Sequence, residues 1–508
     1  MTESRIKNTK RNMFFSYLET FITMLFAFIS RTIIIHIFGD EYLGLSSLFT
    51  SVLQVLNMAE LGFSGAIVYN MYKPVAEGDT DKVCELLAYY KKVYRIIGSI
   101  VFTIGIILTP FLPALIKGNV PDGINIYILY YIYLINTGVS YFAFAYKTAL
   151  LNALQRLDLT KIAYSVVSIL QHVIQIVVLF VFRNYYVFFS INILGTVAKN
   201  VFSAWIANKK FPQYQCKGLI NSETKKDIIC RVKGLLVCNI SGVTYTTFDS
   251  IILSSFIGLK SVAIYNNYLL IFTSIANLAV LIRQAMQASV GNSVAKETKE
   301  KNYQDMLLWQ FFFGVIATWC VTCLMSIYQP FMTIWMGPER LLPITDVVFL
   351  CLWFFNTIVS HSFYLYLSGK GLWWELRWPY ILSTVCNLLL NIVLGKFFGT
   401  TGIIFSTWIS GLVFGFIWQS GIILKEYFHI GIKQFILRFL SYFLVCAVSA
   451  FIAFGINWML PISGIPGLVS RLVICTFVSM FIMWIIYRKQ DVYQQAIGFV
   501  KKAFIRKL

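Results

Sequence analysis

Charge is what this 508-residue chain has least of. Only 13% of its residues are Asp, Glu, Lys or Arg, about half the share found in a soluble domain. With 58% hydrophobic residues against so few charges, a soluble globular class is excluded and a polytopic membrane protein is expected. Histidine is scarce too. His36, His172, His361 and His429 show no H-E-x-x-H spacing and no carboxylate cluster, which argues against a metal site. The ten cysteines are scattered singly, and Cys320 and Cys323 lie one turn apart in an apolar helix, so neither a disulfide framework nor a zinc site follows. No G-x-x-x-x-G-K-[ST] phosphate loop occurs, so this chain is not expected to hydrolyse ATP. No cofactor is implied. The basic start (Arg5, Lys7, Lys10, Arg11) leads into an apolar segment too long for a signal peptide, without a small-residue cleavage site; it reads as an uncleaved signal-anchor.

What remains is a succession of apolar segments. At about 20 residues per spanning helix, the chain has room for roughly 14. The spans are expected at 14–38, 43–70, 94–116, 125–148, 162–182, 185–207, 234–257, 262–288, 306–329, 343–368, 378–395, 401–424, 436–457 and 465–487. Of the 42 basic residues, the odd-numbered connections hold only Lys117, Arg183, Lys260, Arg340 and Lys396. Most of the others fill the even-numbered connections and the termini, which places both termini in the cytoplasm. The net charge of +20 then reflects basic loops facing anionic lipid rather than nucleic acid. The expected organisation is a lobe at 1–208, a cytoplasmic linker at 209–233, a second lobe at 234–424, two further spans at 425–487 and a basic tail at 488–508.

The connections read as surface helices. Asp79-Thr80 suits a cap for a segment with Val83, Leu86, Leu87 and Tyr90 on one face, expected to lie flat on the membrane. Ser222 suits a cap for the helix carrying Lys225, Lys226, Arg231 and Lys233. In the tail, Val492, Ala496, Val500, Phe504 and Leu508 fall four apart beside Lys501, Lys502, Arg506 and Lys507, the pattern of an interfacial helix on anionic lipid. Trp373, Trp374 and Trp378 belong to an interfacial belt. Residues 29–49 can be laid over 248–268 by a constant shift of 219, pairing Gly39 with Gly258, as in a transporter built from repeats; identities are few, and any two membrane hairpins share some likeness.

The stretch from Arg31 to Ile67 is the most distinctive. An apolar run ends at Phe38-Gly39-Asp40-Glu41, where a glycine and two carboxylates require water or head groups, and a second apolar segment starts at once. The pattern F-G-D-E-Y-L-G (38–44), then A-E-L-G-F (59–63), resembles the first hairpin of the polysaccharide flippases. These are the Wzx-type O-antigen and capsule transporters of the multidrug/oligosaccharidyl-lipid/polysaccharide exporter superfamily. K-S-V-A-I-Y-N-N-Y (260–268), Q-P-F-M-T-I-W-M-G-P (329–338) and F-G-T-T-G-I-I-F-S-T-W-I-S (398–410) look like further signposts of that family. The resemblance implies an all-α fold of two six-helix bundles facing a central lumen, plus two C-terminal helices. It also implies alternating access that carries undecaprenyl-diphosphate-linked oligosaccharide across a bacterial inner membrane in polysaccharide (O-antigen, lipopolysaccharide) synthesis. Polysaccharide polymerase and chain-length machinery enter as partners on the same ground.

A charge at bilayer depth costs on the order of 3 kcal/mol or more and needs a partner, water or a task. Glu19, Asp346 and Arg471 lie near span ends and suit snorkelling or anchoring. Lys147 and Arg283 suit either positive-inside anchors or lumen cations that meet a diphosphate. Arg31, Glu60, Lys199 and Asp249 are deeper, and a protein-lined cavity or a static ion pair is expected around each. Arg31, Lys147, Lys199 and Arg283 are therefore the substrate-binding candidates, and Glu60 and Asp249 the coupling or gate candidates. Arg31 has two possible mates, Asp249 across the lumen or Glu60 within its own hairpin.

Two other functions compete. A drug/cation antiporter of the same superfamily usually has twelve spans and a less cationic lumen. A membrane polysaccharide polymerase or glycosyltransferase needs acid/base groups and usually a sizeable outer loop, whereas every outer connection here is under about fifteen residues. No catalytic residue is expected.

Overall fold

In the computed structural model, the described residues are 2–60, 63–118, 120–121, 123–460 and 462–505. Helices dominate, with no strand among these residues. Contacts divide the chain into two compact units, one ending at Ala263 and the other starting at Ile264.

The first unit starts with α1 (Thr2–Phe38), α2 (Asp40–Leu56), α3 (Phe63–Glu77) and α4 (Thr80–Leu108). Next come α5 (Ile126–Phe142), α6 (Tyr146–Ala153), α7 (Leu157–Phe182), α8 (Tyr185–Lys210) and α9 (Ser222–Phe256). Gly39 makes the α1–α2 turn with φ 98, a conformation that glycine adopts without steric cost. Asp79 caps α4, accepting from the Lys82 amide at 2.9 Å. Val83, Leu86, Leu87 and Tyr90 sit inside the protein against Ile67, Met71, Leu150 and Ile228. The expected flat surface helix is therefore instead the first turns of a 29-residue helix, because that apolar face finds protein rather than lipid to cover it. Asn221, not Ser222, caps α9, accepting from the Thr224 amide at 2.9 Å.

α9 packs against α2, α3 and the short turn Asn57–Glu60, and so lies with the first unit. Small residues permit the approach. Ser47 and Ser51 on α2 are buried, as are Thr247, Ser250 and Ser254 on α9, a composition that lets membrane helices come close.

The second unit continues α10 (Leu259–Lys296), which starts in the first, and adds α11 (Lys299–Met336), α12 (Ile344–Lys370) and α13 (Arg377–Ser410). A π-helical stretch, Gly411–Trp418, precedes α14 (Gln419–Ile423) and a second, Leu424–Phe428. The chain ends in α15 (Lys433–Met459), α16 (Gly464–Tyr487) and α17 (Asp491–Ile505). α11 is the centre of this unit, touching α12, α15, α16 and α17. Along α13 the chain reverses at Gly399, at φ 59 and ψ −136. Asn387 donates to Thr407 Oγ1 at 3.1 Å, although twenty residues of straight helix would separate them by about 30 Å. The expected spans 378–395 and 401–424 thus lie side by side there.

Among the described residues, ten helices are long and apolar enough to cross a membrane, or eleven when α5 and α6, bent by 50°, count as one span. The expected fourteen exceeds that count for identifiable reasons. Arg377–Phe428 enters as one segment despite its reversal, the expected span 43–70 is broken at Asn57–Glu60, and α9 carries a charged first half and a polar second half. In the tail, Ala496 is buried and Tyr493 meets Phe311 of α11 edge-on with ring centroids 6.1 Å apart, so this part of α17 packs on protein. The side chains of Val500, Phe504, Leu508, Lys501, Lys502, Arg506 and Lys507 lie outside the described residues, as do those of Arg231 and Lys233.

Candidate functional site

The second expected span passes from α-helix into a short 3-10 turn at Asn57–Glu60. Glu60 closes that turn. Its carboxylate accepts a hydrogen bond from the Tyr94 hydroxyl, while Tyr141 donates to Asn57 Oδ1 at 2.9 Å. Tyr90, Tyr94 and Tyr141 pack in sequence, edge to face and then tilted, with centroids 4.4 and 5.6 Å apart. That leaves a half-buried carboxylate walled by tyrosine hydroxyls.

Tyr164 lies within electrostatic range of both Glu60 and Glu19, and its hydroxyl donates to Asn200 at 3.4 Å. Lys199, half-buried on α8 beside Asn200, lies near Glu19 and His172. Glu19 is no snorkelling anchor. It pairs with Lys161 of α7 at 3.1 Å, and His172 stacks on Phe26 at 4.7 Å. Thus Glu60 and Lys199 reach one polar cluster spanning α1, α7 and α8.

Arg31 is half-buried and lies beside Tyr133, whose hydroxyl donates to Ser46 at 2.7 Å. Asp249 is fully buried within α9, among the small polar residues that pack on α2. Arg31 lies where α1 meets α2 and α5, and Asp249 where α9 meets α2; each has interacting neighbours. Lys147 sits apart from this cluster. Only 6% exposed, it donates to the Tyr214 carbonyl at 3.1 Å and pins the connection after α8. Cys84 holds the same connection, accepting from the Gln215 amide at 3.2 Å.

The end of α9 is tied down by Lys117. Its amide donates to the Ser254 carbonyl at 2.9 Å and its ammonium to the Phe256 carbonyl, a cation where the helix leaves carbonyls unpaired. Ser255 reaches the Leu115 carbonyl at 3.4 Å.

In the second unit, Arg283 of α10 stacks its guanidinium over Tyr364, 4.8 Å from the ring centroid. Its Nε is buried without an acceptor among the described residues, as is Nε2 of the neighbouring His361. A cation held by a ring rather than by a carboxylate keeps its charge available to an anion. Asp346 is fully buried and accepts from Thr401 at 2.5 Å, a packed group rather than a snorkelling one.

Sequence reasoning missed the tyrosine wall around Glu60, although Tyr90 and Tyr94 one turn apart in an apolar helix carried the signal. It also missed the Glu19–Lys161 pair, whose members are 142 residues apart. Of the tyrosines in the expected spans four and eight, Tyr130, Tyr141, Tyr265 and Tyr268 are core, each at most 2% exposed, whereas Tyr127 is exposed.

These features have counterparts among known proteins. The family model described as "Polysaccharide biosynthesis protein" matches residues 9–286, more than half of the chain. The chain belongs to the polysaccharide biosynthesis protein family. Its fold is similar to that of the lipid II flippase MurJ in an inward closed conformation, with a TM-score of 0.66 at 14% identity over 94% of this chain and 99% of that one. It is also similar to an inward-facing multidrug resistance MATE transporter of the MOP superfamily, with a TM-score of 0.61 at 16% identity over 79% of this chain and 93% of that one. A MOP-superfamily transporter from Pyrococcus furiosus gives 0.55 at 15% identity over 82% and 95%. No curated protein matches the sequence. At these identities the structural likenesses establish the fold, which family membership places in polysaccharide biosynthesis.

Proposed function

We propose that this chain is a flippase that moves undecaprenyl-diphosphate-linked oligosaccharide from the inner to the outer leaflet of a bacterial plasma membrane. The single observation that supports this most is the match to the polysaccharide biosynthesis family over residues 9–286, in a chain that shares the lipid II flippase fold over 94% of its length. In this reading both termini are cytoplasmic and the lobes are 1–208 and 234–424, joined by 209–233. The unit alternates access to a lumen between them, for O-antigen or a comparable surface polymer. Arg31, Lys199 and Arg283 meet the diphosphate by charge-assisted hydrogen bonds. Lys147 holds the connection after α8. Glu60, with Asp249, takes up a proton or cation and couples transport to a gradient, with Arg31 exchanging a protein carboxylate for the substrate diphosphate.

The antiporter reading draws on the multidrug transporters that share the fold. They match 79–88% of this chain, however, against 94% for the lipid II flippase. A deletion strain lacking any redundant flippase decides between the two. Loss of surface polymer with lipid-linked repeat units accumulating inside is the expected result, restored by wild type and by Arg283→Lys but not by Arg283→Ala. Normal surface polymer with a new sensitivity to organic cations would replace the proposal with the antiporter.

A further inference from the structure

The second unit contains a cavity of about 510 Å³ at the junction of α15, the end of α16 and the start of α17. Its wall carries two cations, Arg438 and Lys489, against one carboxylate, Asp491. Neither cation has a carboxylate within ion-pair distance among the described residues, so the lining keeps a net positive charge. Arg438 lies against Tyr442, and the floor is made by the hydroxyls of Ser441 and Tyr487, 2.6 Å apart. One of their two protons is used in that mutual hydrogen bond, and the other remains to donate to an oxyanion beside the two charges. Tyr487 and Tyr442 are held in turn by Phe311 of α11, at 5.5 and 6.1 Å, which makes the floor rigid.

One rim of the cavity is apolar. Leu437 is 55% exposed, and exposed Leu440, Leu444, Val448 and Phe451 continue its line along α15, every three or four residues and so on one face of the helix. Across the junction Trp484 is exposed, with Arg488 stacked on it at 4.7 Å, the pairing expected where a spanning helix meets head groups. A cationic, hydroxyl-floored cavity thus opens at head-group level onto an apolar track as long as an acyl chain requires.

We propose that this cavity holds the phosphate of a resident anionic glycerophospholipid of the inner leaflet, with an acyl chain along the α15 track, and that the lipid fastens α17 to α15 and α16. The site rests on the cytoplasmic placement of the tail in the flippase reading, but not on which cargo is carried. A diphosphate-linked cargo offers the same phosphate chemistry, and its preference for this cavity is an outcome to be separated.

The test uses the full-length protein in nanodiscs of phosphatidylcholine alone or mixed with phosphatidylglycerol. Phosphatidylglycerol is expected to raise the melting temperature of the wild type, and native mass spectrometry to find one phosphatidylglycerol that survives release. Arg438→Gln with Lys489→Gln is expected to melt as wild type in phosphatidylcholine and to lose most of the rise. Retention should weaken roughly 25-fold, the product of about fivefold per basic residue at a lipid surface. Lys209→Gln with Lys210→Gln, which removes equal charge from the end of α8, is expected to behave as wild type. Equal loss in both double variants would overturn the site in favour of diffuse surface charge. Should the first pair melt lower in phosphatidylcholine as well, the lipid count decides: an unchanged count overturns the proposal and a lost lipid supports it. An equal rise with inorganic phosphate would make this a free-anion site. Displacement of phosphatidylglycerol by equimolar diphosphate-linked oligosaccharide would make it a cargo site. Either result overturns the resident lipid, and neither bears on whether the protein transports, which the deletion strain tests separately.

Discussion

Gly44→Ala tests how the first hairpin meets the start of α10. A Cβ at Gly44 would lie 2.0 Å from the Leu259 carbonyl oxygen, 2.7 Å from its carbon and 3.0 Å from its Cα, where ordinary contact begins at 3.4 Å. All three atoms are backbone, so no side chain can swing aside. The two helices must part by more than an ångström, and overpacking of this kind costs about 1–3 kcal/mol. The same end of the first unit carries the Lys117 contacts to Ser254 and Phe256, so parting α2 from α10 loosens the end of α9 as well. On the proposed alternating-access cycle that penalty falls only on the state in which this end is closed, and would shift the equilibrium about 5- to 150-fold toward the open one. The assay is labelling of Ser255→Cys by an impermeant maleimide in intact cells. Gly44→Ala is expected to speed labelling by a factor in that range and to change the transport rate with it. Unchanged labelling together with an unchanged melting temperature would mean that α2 and α10 do not approach here, and the register of α2 on α9 would fall with them.

Three further outcomes follow from single contacts. Asp158 is 1% exposed and salt-bridged to Arg11 at 2.8 Å and Arg156 at 3.0 Å; because the arginines are partly exposed and screened, Asp158→Ala is expected to cost about 1–3 kcal/mol, read as a lower melting temperature, and a wild-type melt would remove this tie between α1 and α7. Glu60→Ala leaves the Tyr94 hydroxyl without its acceptor, at about 1–3 kcal/mol, whereas Glu60→Gln keeps an acceptor; the glutamine variant should melt near wild type yet lose gradient-driven transport, and full transport by it would take Glu60 out of coupling. Gly399→Ala places a Cβ at φ 59 and ψ −136, at about 1–3 kcal/mol, and a variant as stable as wild type would show that the chain does not reverse there.

Much of the fold was legible because its signals are local. Apolar length gives spans, Gly39-Asp40-Glu41 gives a turn, and Asp79 gives a cap, each within a few residues. Boundaries moved where packing overrode local pattern. Val83, Leu86, Leu87 and Tyr90 have the periodicity of a surface helix, and nothing nearby announces that α3, α6 and α9 cover them. The fold-back at Gly399 was readable from its glycines, and the second span was readable only as an uninterrupted apolar run, because Asn57–Glu60 is a short 3-10 turn without Pro. Of the candidate site, the charged residues were visible by their cost in a bilayer. Their partners were not, since Glu19 with Lys161, Glu60 with Tyr94 and Arg283 with Tyr364 join segments that sequence order keeps far apart.

The most direct test of the flippase reading is reconstitution. Purified protein is placed in liposomes carrying undecaprenyl-diphosphate-linked oligosaccharide in both leaflets, and the exterior is treated with an impermeant glycosidase. With the protein present, digestion is expected to pass from the outer-leaflet half to near completion, faster under an imposed ion gradient and not with Glu60→Gln. Digestion that halts at the outer leaflet, in liposomes where the same protein drives efflux of an organic cation, would contradict it.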